Sequence, residues 1–396
     1  MRTFTAVLLL LTTAFGSAAA ADSQPAPELN AEAAILIELS TKSVLFEKNA
    51  DETIPPASMT KLMTIHLALN FVKAGTASLN SPVPVSRAAD FRSLPPRSSL
   101  MFIEEGQKVN LLELLKGLAL PSGNDAGIAV AEFLAGSVPE WVALMNHETK
   151  RLGMENTSFD DASGLSEKNM TTARDFASFC AFYIEEHPEA LEMLHILTKF
   201  TYPEAHNIPE GSKSVHGPIT QRNHNLLIGR MPGVDGLKTG YIDESGYNLA
   251  ATAVRGGRRL ILVTMGGTGY GSYDGSLKRV IDAVTLFNYG FYGWSIAEPS
   301  APQDRRMRVF GGQEDYIDLN YEAAEAFSIK TERLGSLTFK TKLNEPAFPV
   351  KTGDILGSWL LIDGEGQIYR RGDVKAANNC GEGNFFKRLI DSIKKR

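Results

Sequence analysis

The sequence predicts an α+β fold, with one antiparallel sheet assembled from both ends of a first domain and a small all-β domain after it. Strand-like segments lie on both sides of a block of helical patterns that runs from about residue 60 to residue 150. Strands that bracket helices in this way are typical of the α+β class. After about Ile296, short alternating segments separated by Gly, Asn and Asp predict the β-rich domain.

The first domain begins with a predicted hairpin, whose strands are Ala33–Leu39 and Ser43–Phe46. Pro55–Pro56 then interrupts the chain, and apolar residues recur at helical spacing from Thr60 until Gly75. The same spacing predicts three further helices, which cover Leu111 to Leu118, Ala126 toward Leu134, and the segment that starts at Pro139.

The end of the first domain is again a strand pair followed by a helix. Tyr247–Val254 and Arg259–Met265 are predicted strands joined by a tight glycine turn, and a helix is predicted from about Ser276 to Tyr289. The strands predicted for the small domain are Met307–Phe310, Ala326–Ile329, Leu337–Thr341 and Ile355–Ile362.

The N-terminus predicts export. Arg2, a short apolar run around Val7–Leu11 and the small residues Ser17–Ala21 form the pattern of a secretory signal peptide over residues 1–21. The apolar run is shorter than the roughly 20 residues that a membrane-spanning helix needs. We therefore expect a first domain at 22–295, the β-rich domain at 296–380 and a tail helix at 382–396.

Composition excludes some classes of protein. A net charge of −6 argues against nucleic-acid binding, which requires a basic face. Cys180 lies in an apolar run and is expected to be a buried free thiol rather than half of a disulfide with Cys380. Glu192 and His195 have metal-like spacing, but no second matching pair follows, so we expect no metal or cofactor and place both on a solvated helix face.

The first chemical motif is Ser58-Met59-Thr60-Lys61, at the predicted start of a helix. Residues three apart share one helix face, so the lysine can remove the proton of the serine hydroxyl if its pKa is lowered. The motif alone is weak, because Ser392 and Lys395 in the tail have the same spacing.

Two more short motifs follow. Ser122-Gly123-Asn124 lies in a loop between two predicted helices, where its polar side chains can relay a proton and hold an amide, or simply cap the next helix. Lys238-Thr239-Gly240 precedes the strand Tyr247–Val254 and can bind a carboxylate at a sheet edge. A second such triplet, at 351–353, lies in a turn of the small domain and is rejected as a site.

In this order, the three motifs resemble those of the penicillin-binding D-alanyl-D-alanine carboxypeptidases, the low-molecular-mass serine peptidases of family S11. The flanking residues match as well, and the resemblance covers nearly the whole mature chain. The segments that resemble the family are Pro56–Thr64, Ser122–Ala126, Thr172–Asp175 and Asp235–Tyr241. The resemblance implies a penicillin-binding/β-lactamase-like fold for the first domain.

The resemblance also implies roles. The enzyme would remove the terminal D-alanine from peptidoglycan stem pentapeptides through an acyl-enzyme and would bind β-lactam inhibitors covalently, without a cofactor. The implied roles are Ser58 as nucleophile, Lys61 as its base, Ser122 and Asn124 in the proton path, Lys238, Thr239 and Gly240 in substrate binding, and the N–H groups of Ser58 and Tyr241 as an oxyanion hole.

The chain departs from its relatives at two positions. Some relatives have histidine in place of Tyr241, which is harmless if only the backbone N–H acts. Some have an arginine upstream that assists carboxylate binding, where ungapped counting finds Asn223 here, with Arg222 one residue away. We do not transfer that role.

Other functions stay open from sequence. A β-lactamase or a D,D-endopeptidase could use the same residues, and a non-enzymatic cell-wall binding protein could retain the fold. A β-lactamase would release a penicillin adduct quickly, whereas a carboxypeptidase would hold it and a pure binding protein would form none.

The tail predicts a membrane anchor. Its apolar residues recur at helical spacing and basic residues border them. Such a helix lies flat on an anionic membrane, which would place the exported enzyme in the periplasm, on the outer face of the cytoplasmic membrane. The alternative is a helix packed on the β-rich domain. The apolar stripe is Phe385, Phe386, Leu389, Ile390 and Ile393.

Overall fold

The computed structural model describes residues 25–303 and 305–395. The predicted signal peptide at 1–21 and the last residue of the tail lie outside the described residues. Among the described residues, no single helix is both long and apolar enough to cross a membrane, and only the pair Asn124–Ala135 and Val138–Arg151, bent by 85°, reaches that length and composition together.

The strands are numbered in chain order. They are β1 (Ala33–Glu38), β2 (Ser43–Lys48), β3 (Thr53–Ile54), β4 (Pro82–Val83), β5 (Val109–Asn110), β6 (Thr171–Thr172), β7 (Lys199–Tyr202), β8 (Ile219–Arg222), β9 (Val234–Ile242), β10 (Gly246–Arg255), β11 (Arg258–Gly267), β12 (Trp294–Ala297), β13 (Arg306–Arg308), β14 (Tyr316–Tyr321), β15 (Phe327–Lys330), β16 (Thr338–Leu343), β17 (Ile355–Ile362) and β18 (Ile368–Ala376).

The α-helices are numbered in the same way. They are α1 (Lys61–Lys73), α2 (Leu111–Ala119), α3 (Asn124–Ala135), α4 (Val138–Arg151), α5 (Ala173–Glu186), α6 (Gly271–Gly293), α7 (Thr331–Leu334) and α8 (Phe385–Lys394). A 3-10 turn at Ala57–Thr60 leads directly into α1.

The central sheet of the first domain has the order β2-β1-β11-β10-β9, and all its pairings are antiparallel. Other elements pack on both faces of this sheet. Successive side chains along β1 point to opposite faces, and they join two different apolar clusters. Ile35 and Ile37 join the apolar cluster of the helical block. Ala34 and Leu36 join the cluster formed with α6 on the opposite face. A sheet assembled from both ends of the domain was predicted, and the order confirms it.

Helix boundaries follow from local chemistry. Asn110 caps α2 in a reciprocal capping box with Glu113, and Ser137 caps α4 ahead of Pro139. The predicted helices are confirmed within a few residues. α5 was not predicted as a helix, and it packs against β1 and β11 inside the helical cluster. α6 is longer than predicted at both ends.

The C-terminal part contains a second five-stranded sheet with the order β13-β14-β18-β17-β16. Its apolar residues form a separate cluster around the buried Trp359. Two of its strands, β14 and β18, were not predicted; adjacent charged residues and Gly372 interrupt the alternation of β18, whereas β14 alternates regularly, with Ile317 and Leu319 buried. The predicted boundary after residue 295 falls inside β12, which pairs with β15.

The tail helix α8 contacts the loop between β13 and β14 through its polar side. Asp391 accepts a hydrogen bond from the Gly311 N–H at 2.9 Å, and Lys387 and Arg388 pair with Asp315 and Glu382. The five apolar side chains of the stripe are 50–74% exposed. The apolar stripe therefore does not pack on the β-rich domain in this structure.

The two cysteines are buried and free. Cys180 lies in the helical cluster of the first domain, whereas Cys380 belongs to the apolar cluster of the second sheet. Burial raises the pKa of the Cys180 thiol, which makes the reactive thiolate scarce. The expectation of a buried free thiol at Cys180 is confirmed.

Thiol titration without reductant tests this assignment. The native protein should react with Ellman's reagent only slowly, and unfolding in guanidinium should reveal two thiols per chain, because both sulfurs are shielded only by the fold. The unfolded Cys380→Ala variant should have one reactive thiol per chain. An unfolded wild-type chain that shows none would contradict the free-thiol state.

Candidate active site

Ser58 lies on a tight turn. Two other segments of the chain pack closely against this turn, because each of them has a glycine at the point of contact. It is half-buried in the 3-10 turn before α1, and the preceding Ala57 has a φ of 50°. A Cβ on Gly240 would lie 2.5 Å from the Pro56 carbonyl oxygen, and one on Gly164 would lie 1.9 Å from that of Ala57. Any side chain at these two positions would therefore push β9 or the 160s loop away from Ser58.

Lys61 connects Ser58 with two other segments of the chain. Its Nζ lies 2.9 Å from Ser58 Oγ, 2.6 Å from Asn124 Oδ1 and 2.6 Å from the Ser163 carbonyl oxygen. The side chain is fully buried. The first two motifs are thus brought together in space by one amino group.

Burial lowers the pKa of Lys61 to about 7, against the opposing effect of the nearby carboxylates of Asp161 and Asp125. The lowered pKa makes a neutral amine accessible near neutral pH, as a general base requires. Asp161 is in turn held by the backbone N–H groups of Ser163, Gly164 and Ser166.

The three partners of Lys61 determine where its lone pair points when it is neutral. The Asn124 and Ser163 oxygens are carbonyl oxygens, so they can only accept hydrogen bonds. A neutral amine donates both of its hydrogens to them, and its lone pair is left for the Ser58 hydroxyl. The geometry is therefore that of a base aimed at a serine proton.

Asp125, the residue after the second motif, holds the Ser122-Gly123-Asn124 loop in position. Asn124 is the first residue of α3, and Ser122 precedes it with a φ of 64°. The buried Asp125 carboxylate accepts hydrogen bonds from the backbone N–H groups of Met101, Phe102 and Ile103 at 2.7–3.1 Å. This network holds the Ser122–Asn124 loop against the wall formed by residues 95–103.

The third motif lies on β9, the edge strand of the central sheet that precedes β10, as the sequence predicts. The buried Lys238 Nζ lies 3.0 Å from Ser122 Oγ and 3.0 Å from the Thr239 carbonyl oxygen. Burial, with the positive charges of Lys61 and Arg279, holds the pKa of Lys238 well below its usual value. The second and third motifs therefore meet through this contact.

The three motifs surround one open cleft of about 720 Å³. Lys61 and Lys238 lie buried behind its walls. The cleft is lined by six of the eight predicted site residues, which are Ser58, Ser122, Asn124, Thr239, Gly240 and Tyr241. The structure therefore brings all eight predicted residues to one place, and the triplet at 351–353 and the tail pair at 392–395 lie in the C-terminal part.

Arg279 also lines the cleft, although it belongs to none of the three motifs. Its guanidinium donates to the Asn248 carbonyl oxygen at 3.2 Å, and burial lowers its pKa to about 10. No carboxylate forms a salt bridge with it among the described residues. The signal was present in the sequence, because Arg279 occupies the apolar register of α6, one turn before the buried Ala283.

Two expectations about nearby residues need correction or completion. His195 is not on a solvated face but fully buried, 2.7 Å from the Tyr183 hydroxyl and 3.2 Å from the Leu237 carbonyl oxygen. Burial lowers its pKa to about 4, so it is neutral. Asn223 is used structurally, donating to the His195 and Leu197 carbonyl oxygens, whereas Arg222 is exposed at the cleft.

Among the described residues, no group of three or more His, Cys, Asp or Glu side chains is placed to hold a metal ion.

Comparison with known proteins agrees with this geometry. The chain is 33% identical to D-alanyl-D-alanine carboxypeptidase DacC of Escherichia coli over 98% of its length and 92% of that protein. The crystal structure of D-alanyl-D-alanine carboxypeptidase DacD from Francisella tularensis has a TM-score of 0.75 at 25% identity, covering 90% of this chain and 95% of that one.

A third relative covers only part of the chain. Penicillin-binding protein D2 from Listeria monocytogenes, in its cefotaxime-bound form, has a TM-score of 0.56 at 29% identity over 68% of this chain and all of that one. The model of the D-alanyl-D-alanine carboxypeptidase family, Peptidase_S11, matches residues 19–269, which include all three motifs. The chain therefore belongs to the D-alanyl-D-alanine carboxypeptidase family.

Proposed function

We propose that Ser58 is the nucleophile of a D-alanyl-D-alanine carboxypeptidase that removes the terminal D-alanine from peptidoglycan stem pentapeptides. The observation that supports this most directly is the contact of Lys61: among the described residues, its one partner able to donate a hydrogen bond is the Ser58 hydroxyl. Family membership supports the reaction, and this contact supports Ser58 as the serine that carries it out.

Acylation begins when Ser58 Oγ attacks the carbonyl carbon of the penultimate D-alanine and Lys61 takes the hydroxyl proton. The backbone N–H groups of Ser58 and Tyr241 stabilise the oxyanion. Ser122, whose hydroxyl contacts Lys238, gives its proton to the leaving amine of the terminal D-alanine. Lys61 then gives the proton that it took from Ser58 to Ser122. The products are the Ser58 ester and free D-alanine.

Deacylation reverses these roles. Water attacks the ester carbonyl and gives its proton to Lys61, and the departing Ser58 Oγ takes that proton back. Asn124 keeps Lys61 in place through both halves of the reaction, because its carbonyl oxygen accepts from Nζ at 2.6 Å.

The free carboxylate of the substrate is bound at the other end of the cleft. Lys238 and the Thr239 hydroxyl offer an ammonium and a neutral donor. Arg279, which has no acidic partner among the described residues, adds a second cation near Gly240, and its guanidinium lies 3.4 Å from the Gly240 carbonyl oxygen. Binding a carboxylate here would restore the positive charge that burial disfavours on Lys238.

β-Lactams should acylate Ser58 and leave slowly. The cefotaxime-bound relative supports binding of this inhibitor class. Of the 160s loop, only Gly164 and Leu165 line the cleft, and the Asp161 carboxylate already accepts three backbone hydrogen bonds. No carboxylate of that loop therefore lines the cleft, where it could activate a deacylating water, and this argues against a β-lactamase.

Mass spectrometry with penicillin tests the nucleophile. The mature protein should gain one penicillin mass on the peptide that contains Ser58, and the adduct should persist for minutes or longer. Ser58→Ala should abolish the adduct, because it removes the hydroxyl that lies 2.9 Å from the Lys61 amino group.

Ser122→Ala is the matched control, since it removes a second cleft hydroxyl but leaves Lys61 and Ser58 in contact. It should still form the Ser58 adduct, more slowly. An adduct on Ser122, or none on the wild type, would disprove the assignment, and loss within seconds would favour a β-lactamase.

The pH dependence of acylation tests Lys61. Because the neutral amine is the base, the acylation rate should rise as pH increases through about 7, the pKa of Lys61, and then level off. A fluorescent penicillin and stopped-flow detection give the rate. Lys61→Arg keeps a positive charge but cannot lose its proton, so the rate should fall about a thousandfold.

Circular dichroism should show that Lys61→Arg is folded. A rate independent of pH between 5 and 9 in the wild type would exclude Lys61 as the base.

We also propose that the enzyme is exported by the signal peptide at 1–21 and rests in the periplasm on the outer face of the cytoplasmic membrane. The exposed apolar stripe of α8 supports this, because the helix packs its polar side on the loop between β13 and β14 and leaves the apolar side exposed. The neighbouring Lys394 suits an anionic surface, whereas Lys395 is paired with Glu345.

Vesicle sedimentation tests the anchor. The chain ending at Gly381 should retain activity on a soluble peptide and no longer sediment with anionic vesicles. As a control that preserves the helix length, Phe386→Glu with Ile390→Glu should have the same effect. Continued sedimentation of either form would rule out the helix as the anchor.

A further inference from the structure

One end of the cleft contains charged side chains that the proposed reaction does not use. Arg97 lies on the loop that forms one wall, and Asp243 and Glu244 follow the end of β9. All three line the same cleft as Ser58. They therefore lie within reach of a part of the substrate other than the reacting bond.

The position of the substrate determines which part that is, and this step rests on the proposed function. Its carboxylate is held at Lys238 and Thr239, and its reacting carbonyl lies at the Tyr241 N–H. The peptide chain therefore runs antiparallel to β9, as an added strand at the free sheet edge. The residue before the two D-alanines, the third of the stem peptide, must lie beyond Tyr241, toward Asp243 and Glu244.

The charged side chains at this end of the cleft form few hydrogen bonds or salt bridges with other described residues of the protein. The Glu244 and Arg97 side chains make no hydrogen bond or salt bridge within residues 25–303 and 305–395. Asp243 accepts one hydrogen bond, from the Tyr241 hydroxyl at 2.7 Å, through Oδ1 only. An acid and a base that share a cleft and remain unpaired are available to a ligand.

The backbone of Arg97 adopts a strained conformation. Its φ of 68° lies in the left-handed region, which disfavours an arginine, and Pro95 and Pro96 restrict the chain just before it. Strained positions of this kind are concentrated at functional sites. Arg97 is also close enough to oppose the effect of Asp243, which raises the pKa of Tyr241 to about 12.

We propose that the cleft beyond Tyr241 binds the third residue of the stem peptide and selects a side chain that ends in both an ammonium and a carboxylate, as diaminopimelate does. Asp243 and Glu244 face the ammonium, and Arg97 faces the carboxylate. A lysine side chain satisfies only the acidic half of this subsite. An acylated lysine satisfies neither half.

Three pentapeptides of the form L-Ala-γ-D-Glu-X-D-Ala-D-Ala separate these contributions. X is meso-diaminopimelate, L-lysine or Nε-acetyl-L-lysine, and released D-alanine gives kcat/KM for the full mature chain. We expect kcat/KM to fall in that order by about fivefold at each step, as partly exposed ion pairs contribute. The differences should shrink in 0.5 M salt, because salt screens such pairs.

Two variants assign each half of the subsite. Arg97→Gln should lower kcat/KM for the diaminopimelate peptide only, and Glu244→Gln should lower it for the two peptides that have a free ammonium. Arg87→Gln and Glu105→Gln, which change the same charges outside the cleft, should leave all three values unchanged. Penicillin acylation should be unaffected in all four variants, since penicillin has no third residue.

Equal kcat/KM values for the three peptides would overturn the subsite and leave the carboxypeptidase assignment intact. A uniform loss with all three peptides in Arg97→Gln would also overturn it, because Arg97 would then act on the peptide terminus. If no peptide were cleaved and no penicillin adduct formed, the proposed function would fail, and the subsite with it.

Discussion

The site depends on the burial of one lysine. A buried amino group is costly unless it is neutral or fully hydrogen-bonded, and Lys61 has three partners at 2.6–2.9 Å. Two of them come from segments 63 and 102 residues further along the chain. The same burial that lowers its pKa therefore also requires these segments to meet at Ser58.

Other parts of the first domain hold these segments in position around Ser58. The antiparallel sheet places β9 at its edge, so that Gly240 can approach the Ser58 turn closely on one side. Asp125 anchors the second motif by taking the backbone donors of the neighbouring loop. No chemical step requires His195 or Asn223. His195 contacts the Leu237 carbonyl oxygen within β9, and Asn223 donates to the His195 carbonyl oxygen, so the two hold the segment beside β9 against that strand.

Charge is distributed in the cleft according to position along β9. Midway along the strand, the buried Lys238 and the nearby Arg279, which form no salt bridge within residues 25–303 and 305–395, favour an anionic terminus. Past its end, exposed groups of both signs favour a side chain of mixed charge. The two regions differ in burial, and so the first should determine whether a peptide binds and the second which peptide is preferred.

The sequence alone determined which residues to look for. Three motifs, in order and with their neighbours, predicted eight site residues, and the structure brings all eight to one cleft. Hydrophobic periodicity determined most helices and the strand pairs of the first domain, since burial on one face leaves a regular pattern. The amphipathic character of the tail was equally plain.

Only the tertiary structure decided what depends on distant contacts. The partners of Lys61 include a backbone carbonyl at Ser163, and any residue could have supplied it. Arg279 enters the cleft from a helix more than 200 residues after Ser58, so no local motif marks it. The burial of His195 and the free apolar side of α8 were likewise decided by packing, because a sequence pattern gives a helix its two sides but not the neighbour each side meets.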